Sequence, residues 1–374
     1  MPLDFPVEYF NPTSVIVFLS FFAMSQLPTL KWGIISTGMI SSWFTTDISI
    51  DRPDARANHV IAAIGSSSPE KGLAFVEKYL PHINTPLIQT YDEVYSNDDV
   101  ECIYIGLPHS MHHEHVLKAL NAGKNVLCEK AFCMNAREAR EMFALAEKKG
   151  LFLMEAMWTR FFPVIHEIRD LLFEQKALGE IRRLIMDMSF DAKLEALSDD
   201  DRMKNPRLGA GSVLDLGVYV LTYSRLLLDS GVGNKAAKFT STAAMKIRGG
   251  VDLLTSILVQ YEETGRQAVL TCGLEVAGSQ PYLRLSGTKG YIELWGFNQA
   301  SPRRYRITYT DGKVVEKKFD IPGYGLYYEA DAVAIDIKQG KTQNNLCPPA
   351  ESLLVMDTID SLRKQNNLVY PDFD

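Results

Sequence analysis

The stretch Lys31–Ser42, KWGIISTGMISS, decides the fold of the first part of this chain. A short apolar run leads through a glycine-containing turn into a mixed polar and aromatic segment, which predicts a strand, a tight turn and a helix. Against the spacing G-x-G-x-x-G only Gly38 is a glycine, because Ser36 and Ser41 occupy the first and third positions. On its own, the stretch fits a pyrophosphate-binding turn and an ordinary strand-to-helix turn equally well.

A second apolar strand favours the nucleotide-binding interpretation. His59–Ile64, HVIAAI, follows at the distance that a βαβ unit requires. Its end carries no Asp or Glu of the kind that accepts a hydrogen bond from the ribose in NAD sites. The residues there are Ser66, Ser67 and Ser68, with Lys71 close behind. Hydroxyl groups and a lysine suit a 2′-phosphate, so the sequence predicts NADP. Ser68 is also a normal N-cap for a helix that begins at Pro69, and the two roles are compatible.

Strands and helices continue to alternate as far as residue 157. The predicted elements are the strand Glu101–Leu107, the helix His112–Asn121, the strand Asn125–Glu129, a helix from Asn135 to Gly150 and a strand from Leu151. Mostly apolar strands that alternate with helices form a parallel sheet covered on both faces. The sequence therefore predicts an α/β fold with a doubly wound Rossmann domain over residues 30–157.

Composition narrows the classes of partner and compartment. The 374 residues include 46% hydrophobic side chains and carry a net charge of −7 with no basic block, which argues against nucleic acid and favours a small-molecule partner. The five cysteines are odd in number and widely spaced, which predicts free thiols and a cytoplasmic location.

The N-terminal region is predicted to be an extension outside the fold, over residues 1–29. Val15–Met24 is apolar but too short to cross a membrane, so no membrane association is expected. No Lys or Arg precedes Lys31, which argues against a secretion signal, although a signal or anchor remains the alternative interpretation.

From residue 158 the pattern changes to longer strands with alternating polarity. The predicted strands are Ile181–Phe190, Leu253–Tyr261, Gln267–Leu274, Tyr282–Ser286, Tyr291–Leu294 and Tyr305–Thr310. They predict a second α/β domain over residues 158–374, built on an open and mostly antiparallel sheet. A long apolar helix, Val213–Leu228, carries Asp215 and Tyr219 on one face, where either structural hydrogen bonds or chemistry would explain two polar groups.

Two segments of the first half are candidates for chemistry. His109, His112 and His113 lie where a strand turns into a helix, and we expect them to diverge and line a nucleotide pocket, not to bind a metal. Lys130 ends the strand Asn125–Glu129, at the edge where doubly wound sheets bind ligands. A lysine there can take part in proton transfer, although an exposed loop lysine is the simpler alternative.

Together these segments resemble the glucose-fructose oxidoreductase and inositol dehydrogenase family. The matching motifs are Ser36–Ile40, Pro108 to His112, Glu129-Lys130, Asp215–Tyr219 and Gly287–Gly290, in an order and spacing specific to the family. The stretches Gly33–Ser42 and Leu151–Pro163 are similar to those of its subgroup of dimeric dihydrodiol dehydrogenases and fungal NADP-dependent D-xylose 1-dehydrogenases.

The resemblance implies a role for each matching residue. Lys130 and Tyr219 would be the proton-transfer pair, with the lysine lowering the pKa of the phenol toward neutral pH, and Asp215 would orient the substrate. The residues expected to bind NADP are Ser36, Thr37, Gly38, Met39, Ile40, Ser66, Ser67, Ser68, Lys71, Leu107, Pro108, His109, His112, Glu129, Lys130, Trp158 and Arg160. Two positions depart from the family: Ala131 replaces a proline after the lysine, and Ser67 replaces an arginine found in many relatives.

The implied function is oxidation of the anomeric C1 hydroxyl of D-xylose, or of a related aldose, by a homodimer. The alternatives are a trans-dihydrodiol dehydrogenase and a non-catalytic regulator that senses the nucleotide. The presence of Lys130, Asp215 and Tyr219 together favours an enzyme.

Overall fold

The computed structural model describes residues 27–82 and 86–374, and places them in two sheets. Residues 1–26 of the predicted extension, including the apolar run Val15–Met24, lie outside the described residues. Thr29, the last residue of the predicted extension, already belongs to the first strand.

The first sheet is parallel and has six strands in the order β3-β2-β1-β4-β5-β6. Its strands are β1 Thr29–Ile35, β2 Asn58–Gly65, β3 Leu87–Gln89, β4 Cys102–Ile105, β5 Asn125–Glu129 and β6 Leu153–Ala156. Its helices are α1 Met39–Ile48, α2 Pro69–Tyr79, α3 Tyr91–Ser96, α4 His109–Asn121 and α5 Ala136–Lys149. Strand order reverses between β1 and β4, so the carboxyl ends of these strands border the crevice where such sheets bind ligands.

Local signals explain where several of these helices begin and end. Ser68 caps α2 and Pro69 is its first residue, as the sequence predicts. Asn135 caps α5 by accepting the Glu138 N–H at 3.0 Å, and Gly150 ends that helix at a φ of 65°. The doubly wound parallel sheet predicted for this half is confirmed.

The second sheet has eight strands in the order β14-β13-β12-β11-β7-β10-β9-β8. Its strands are β7 Ile181–Ser189, β8 Phe239–Arg248, β9 Val251–Tyr261, β10 Gln267–Gly273, β11 Leu283–Gly287, β12 Gly290–Asn298, β13 Ser301–Tyr309 and β14 Val314–Lys318. Neighbours pair antiparallel except β7 and β10, which are parallel. The open, mostly antiparallel sheet is confirmed. Strands β8 and β14 were not predicted, because neither of them contains a run of buried apolar residues.

The remaining helices connect the two sheets. They are α6 Pro163–Arg169, α7 Val218–Leu228, α8 Tyr327–Lys338 and α9 Pro349–Gln365; short helical turns cover Trp158–Phe161 and Val213–Gly217, and the latter runs directly into α7. Helix α7 packs on β7 and β10, whereas α8 packs on α1 and α9 on α5. The chain therefore returns to the first sheet after completing the second, and the boundary at residue 157 stays a prediction.

One helical segment within the described residues, Pro206–Leu228, is long and apolar enough to cross a membrane. Its 18-residue apolar stretch is completely buried inside the protein, as expected for the core helix beneath the second sheet.

Candidate active site

The turn after β1 has the conformation of a glycine-rich turn although its first residue is serine. Ser36 has a φ of 104°, a region that side chains seldom adopt. Its N–H donates to the Gly65 carbonyl at 3.2 Å, and its hydroxyl accepts the Gly38 N–H at 3.0 Å. The serine thus takes the place of the first glycine and adds a hydrogen bond that stabilises the turn.

The beginning of α1 is open to an anion. Gly38 is its N-cap, no side chain within the described residues caps its first N–H groups, and no acidic residue lies in its first turn. A Cβ at Gly106 would lie 2.4 Å from the Ser41 hydroxyl, so glycine there lets β4 and α1 approach closely. Free amides at a helix N-terminus fit a pyrophosphate.

The serines after β2 meet the lysine of α2. The Lys71 ammonium donates to the Ser67 hydroxyl at 3.3 Å, while the Ser68 hydroxyl accepts the Lys71 N–H at 3.3 Å. The predicted cap is confirmed, and it brings the lysine to the hydroxyl groups, whereas the NADP interpretation of this segment stays a prediction. These exposed donors fit a phosphate.

Lys130 lies at the carboxyl end of β5 and is joined to the second half of the chain. Its ammonium donates to Asp215 Oδ1 at 2.7 Å and to the Asp215 carbonyl at 3.0 Å, and lies 4.9 Å from the centre of the Tyr219 ring. The Trp158 indole N–H donates to the Tyr219 hydroxyl at 2.6 Å. The structure therefore brings the three predicted catalytic residues together, and Trp158 with them.

Electrostatics separates the two acids of this cluster. Burial favours the neutral form of Asp215, but the charges of Lys130 and Arg202 outweigh it and hold the pKa of that carboxyl well below its usual range. Burial, and next the charge of Glu129, raise the pKa of the Tyr219 phenol well above 10. The expectation that Lys130 brings this pKa toward neutral is wrong for this arrangement, because burial outweighs the charge of the ammonium, which lies over the ring and makes no hydrogen bond to the hydroxyl.

Only one of the three histidines points away from the others: His113 lies on the outside, whereas the rings of His109 and His112 are 5.8 Å apart. His109 Nδ1 lies 3.1 Å from the Gly209 carbonyl, His112 Nε2 lies 2.8 Å from the Leu107 carbonyl, and His113 pairs with Glu141 on the outside. Burial lowers the pKa of His109 to about 3 and that of His112 to about 4, so both are neutral at pH 7. Within residues 27–82 and 86–374 no three His, Cys, Asp or Glu side chains are grouped to hold a metal.

Some of the residues expected to bind the cofactor have other protein side chains as their hydrogen-bond or ion-pair partners. Glu129 accepts from the Tyr104 hydroxyl at 2.5 Å, and burial raises its pKa to about 7. Arg160 pairs with Glu351 at 2.9 Å in a buried site. Pro108 precedes α4 as its N-cap, and the Lys130–Ala131 peptide is cis. The cofactor contacts of Glu129 and Arg160 stay predictions.

Asp252, which the sequence did not single out, supports the start of the helical segment that carries Asp215 and Tyr219. Its carboxylate accepts the Val213 N–H at 2.7 Å and the Ser212 hydroxyl at 2.6 Å, at the start of the turn that carries Asp215. The available signal was the single acidic residue of strand β9, but the predicted strand began at Leu253, one residue after Asp252.

A cavity of about 720 Å³ lies beside this centre and not within it. The 191–206 segment and the β8–β9 turn line it, and Lys130, Asp215 and Tyr219 do not.

Two family models match the chain. One described as "Oxidoreductase family, NAD-binding Rossmann fold" matches residues 30–157, and one described as "GFO/IDH/MocA C-terminal domain" matches residues 165–293. The chain belongs to the Gfo/Idh/MocA oxidoreductase family. The predicted family and the NAD(P)-binding Rossmann fold are thus confirmed.

Proteins that are similar to this chain agree with it in length. D-xylose 1-dehydrogenase (NADP⁺) of Hypocrea jecorina is 32% identical and is aligned over 92% of this chain and 94% of its own. Trans-1,2-dihydrobenzene-1,2-diol dehydrogenase of Sus scrofa is 33% identical, over 91% and 98%. A 3-ketoreductase from Actinomadura kijaniata, solved with NADP and TDP-benzene, has a TM-score of 0.74 at 22% identity, over 90% and 98%, and supports the fold.

Proposed function

We propose that this oxidoreductase is an NADP-dependent dehydrogenase that oxidises the C1 hydroxyl of D-xylose, or of a related aldose, to the aldonolactone. The observation that carries the proposal is the contact of Lys130 with both Asp215 and the Tyr219 ring at the carboxyl edge of the parallel sheet. The 32% identity to the Hypocrea jecorina enzyme supports the choice of substrate and cofactor.

The residues that would hold NADP are those of the two phosphate-type sites. The open amides of α1 suit the pyrophosphate, and Ser67 with Lys71 suits a 2′-phosphate. When bound, the nicotinamide supplies the acceptor for the hydride that leaves C1.

Tyr219 is the proton acceptor in this proposal. As C1 loses its hydride, the proton of its hydroxyl moves to the phenol oxygen of Tyr219, and the C1–O bond becomes the lactone carbonyl. The Trp158 N–H already points at that oxygen and would stabilise the phenolate, and the Lys130 ammonium beside the ring offsets part of its charge. Asp215 holds the ammonium in place through its bond to Nζ.

The second candidate is oxidation of a trans-dihydrodiol, which the 33% identity to the Sus scrofa enzyme supports. Both candidate substrates have a second hydroxyl on the carbon next to the reacting one. The same proton-transfer cluster therefore suits either of them, and pocket shape would decide between them.

Homodimerisation and a cytoplasmic location also belong to this proposal. One face of the second sheet exposes large apolar residues such as Ile185 and Leu258, as expected for a surface on which a second copy packs. The molar mass of the purified protein, measured by light scattering, tests the dimer.

The functional test is the formation of reduced nicotinamide by the full chain. D-xylose, D-glucose and a trans-dihydrodiol are each offered with NADP and with NAD, with Tyr219→Phe as the inactive control. We expect the highest kcat/KM with D-xylose and NADP. Cofactor binding without turnover of any of the three would contradict the proposal and favour a regulator.

A further inference from the structure

The two carboxylate oxygens of Asp215 have different surroundings. Oδ1 accepts from Lys130 at 2.7 Å and lies 3.9 Å from His109 Nε2. The neighbour of Oδ2 is Arg202 Nη1 at 3.7 Å, which is longer than a hydrogen bond. An acceptor and a charged donor therefore face each other across a gap beside the catalytic lysine.

Arg202 approaches the site from its open side. Its side chain is 47% exposed, whereas that of Asp215 is 9% exposed. It lies on the segment between β7 and the turn at Val213, and the end of this segment is held by the contact of the Gly209 carbonyl with His109. Because Gly209 has no side chain, this segment can approach His109 closely. The guanidinium thus lies between Oδ2 of the buried Asp215 carboxylate and the solvent.

The other basic residues of the segment are engaged elsewhere. Lys193 pairs with Asp191, Lys204 with Asp199 at 2.7 Å, and Arg207 with Asp372 at 3.4 Å. Asp199 and Asp372 are well exposed to solvent. Arg202 is therefore the cation of this segment that faces the catalytic cluster.

We propose that Arg202 and Asp215 Oδ2 together bind the hydroxyl on the carbon next to the reacting one. A hydroxyl group donates one hydrogen bond and accepts others, so it matches an acceptor and a donor at once. One oxygen can lie about 2.8 Å from both atoms across this gap. The site then selects vicinal diols, including cyclic aldoses with a C2 hydroxyl, and Arg202 is a specificity-determining residue. This inference rests on the proposed function.

The test compares two substrates and three proteins. The kcat/KM of the full chain is measured with D-xylose and with 2-deoxy-D-xylose, for the wild type, Arg202→Met and Arg207→Met. Arg207 is the matched control, because the same change is made on the same segment away from the cluster. We expect Arg202→Met to lose about 10–100-fold with D-xylose, since a hydrogen bond to a charged group is lost, but under about threefold with the deoxy sugar. The control stays near wild type, and Arg202→Lys recovers part of the loss.

Equal losses on both sugars would show that Arg202 only supports the structure, and would overturn the inference while leaving the proposed function intact. No loss on either sugar would overturn it as well. Failure of the wild type to oxidise any aldose or diol would contradict the proposed function itself.

A binding measurement, which needs no turnover, distinguishes failure of this inference from failure of the proposed function. The compound 1,5-anhydroxylitol keeps the C2 hydroxyl and lacks the C1 hydroxyl, so it binds without reacting. Its dissociation constant, followed by tryptophan fluorescence, is expected to rise about 10–100-fold in Arg202→Met. Equal affinity in wild type and variant, or no binding to the wild type, would overturn the inference.

Discussion

The β1 turn and the carboxyl end of β5 differ in whether their polar groups already have protein partners. At the β1 turn the groups that would meet a ligand are left free: the first amides of α1 have no side-chain cap among the described residues. At the end of β5 the charged groups of Glu129 and Lys130 already have protein partners, and Lys130 alone makes two hydrogen bonds to Asp215.

This difference follows from what each end does. Binding an anion needs donors that are unsatisfied until it arrives, and water can satisfy them in its absence. Moving a proton needs charges held at fixed positions before the reaction begins, because reorganising them during the reaction raises the barrier. Substitutions at the β1 turn should therefore affect cofactor affinity, and substitutions at the β5 end should affect turnover.

The largest effect is expected at the β5 end. Tyr219→Phe and Lys130→Met should each lower kcat by about 10²–10⁴-fold, the usual contribution of a positioned proton-transfer group. The dissociation constant of NADPH should change little, as measured by fluorescence titration. Lys118→Met, on the exposed face of α4, is the matched control. Unchanged turnover in either variant would remove that residue from the mechanism.

The next effect concerns pH. Oxidation needs the phenolate of Tyr219, and burial raises the pKa of this phenol well above 10. Below that pKa the phenolate fraction rises about tenfold per pH unit, so kcat for oxidation should increase with pH across the neutral and alkaline range. Initial rates between about pH 6 and about pH 9, at saturating substrate, measure this slope. A flat profile would assign the proton to another group, and Tyr219→Phe should lose the slope.

A smaller effect is expected at the β1 turn. A Cβ at Gly38 would lie 3.2 Å from the Ser36 hydroxyl, so Gly38→Val crowds the turn on which the pyrophosphate would rest. The dissociation constant of NADPH should rise about 10–100-fold, because two or three amide contacts are weakened. At saturating NADP, kcat should stay within about threefold of wild type if the two ends act separately. A loss in kcat without a loss in affinity would contradict the comparison.

The smallest effect tests the choice of cofactor. Lys71→Ala removes the cation beside Ser67, and should weaken NADP binding by about 1–2 kcal/mol while leaving NAD binding unchanged. Lys78→Ala, which removes the same charge from the other end of α2, is the control. Equal weakening of NADP and NAD would show that Lys71 does not contact the 2′-phosphate.

Much of the fold was predictable because its signals are local. The strand, turn and helix of Lys31–Ser42 depend on residues within a few positions of one another, and the same holds for the cap at Ser68 and the stop at Gly150. The edge strands β8 and β14 were missed because a strand at the edge of a sheet does not need a run of apolar residues. Such a strand is recognised only from its pairing with the neighbouring strand.

The proposed catalytic residues were identified from family motifs, but the contacts between them were not. Lys130 and Asp215 are 85 positions apart, and no spacing in the sequence shows that they form an ion pair. The same holds for the hydrogen bonds from Val213 to Asp252 and from Trp158 to Tyr219, which also join residues far apart in the sequence.

The sequence by itself determined the two sheets, the nucleotide-type turn and the kinds of side chain available for chemistry. Tertiary structure alone decided their charge states and directions: it buried Tyr219 and so raised the pKa of its phenol, and it aimed Lys130 at the ring of that tyrosine and not at its hydroxyl. It also left a gap between Arg202 and Asp215 Oδ2. The reason is physical, since backbone conformation depends mainly on neighbouring residues, whereas desolvation and Coulomb energy depend on whatever the fold brings within a few ångströms.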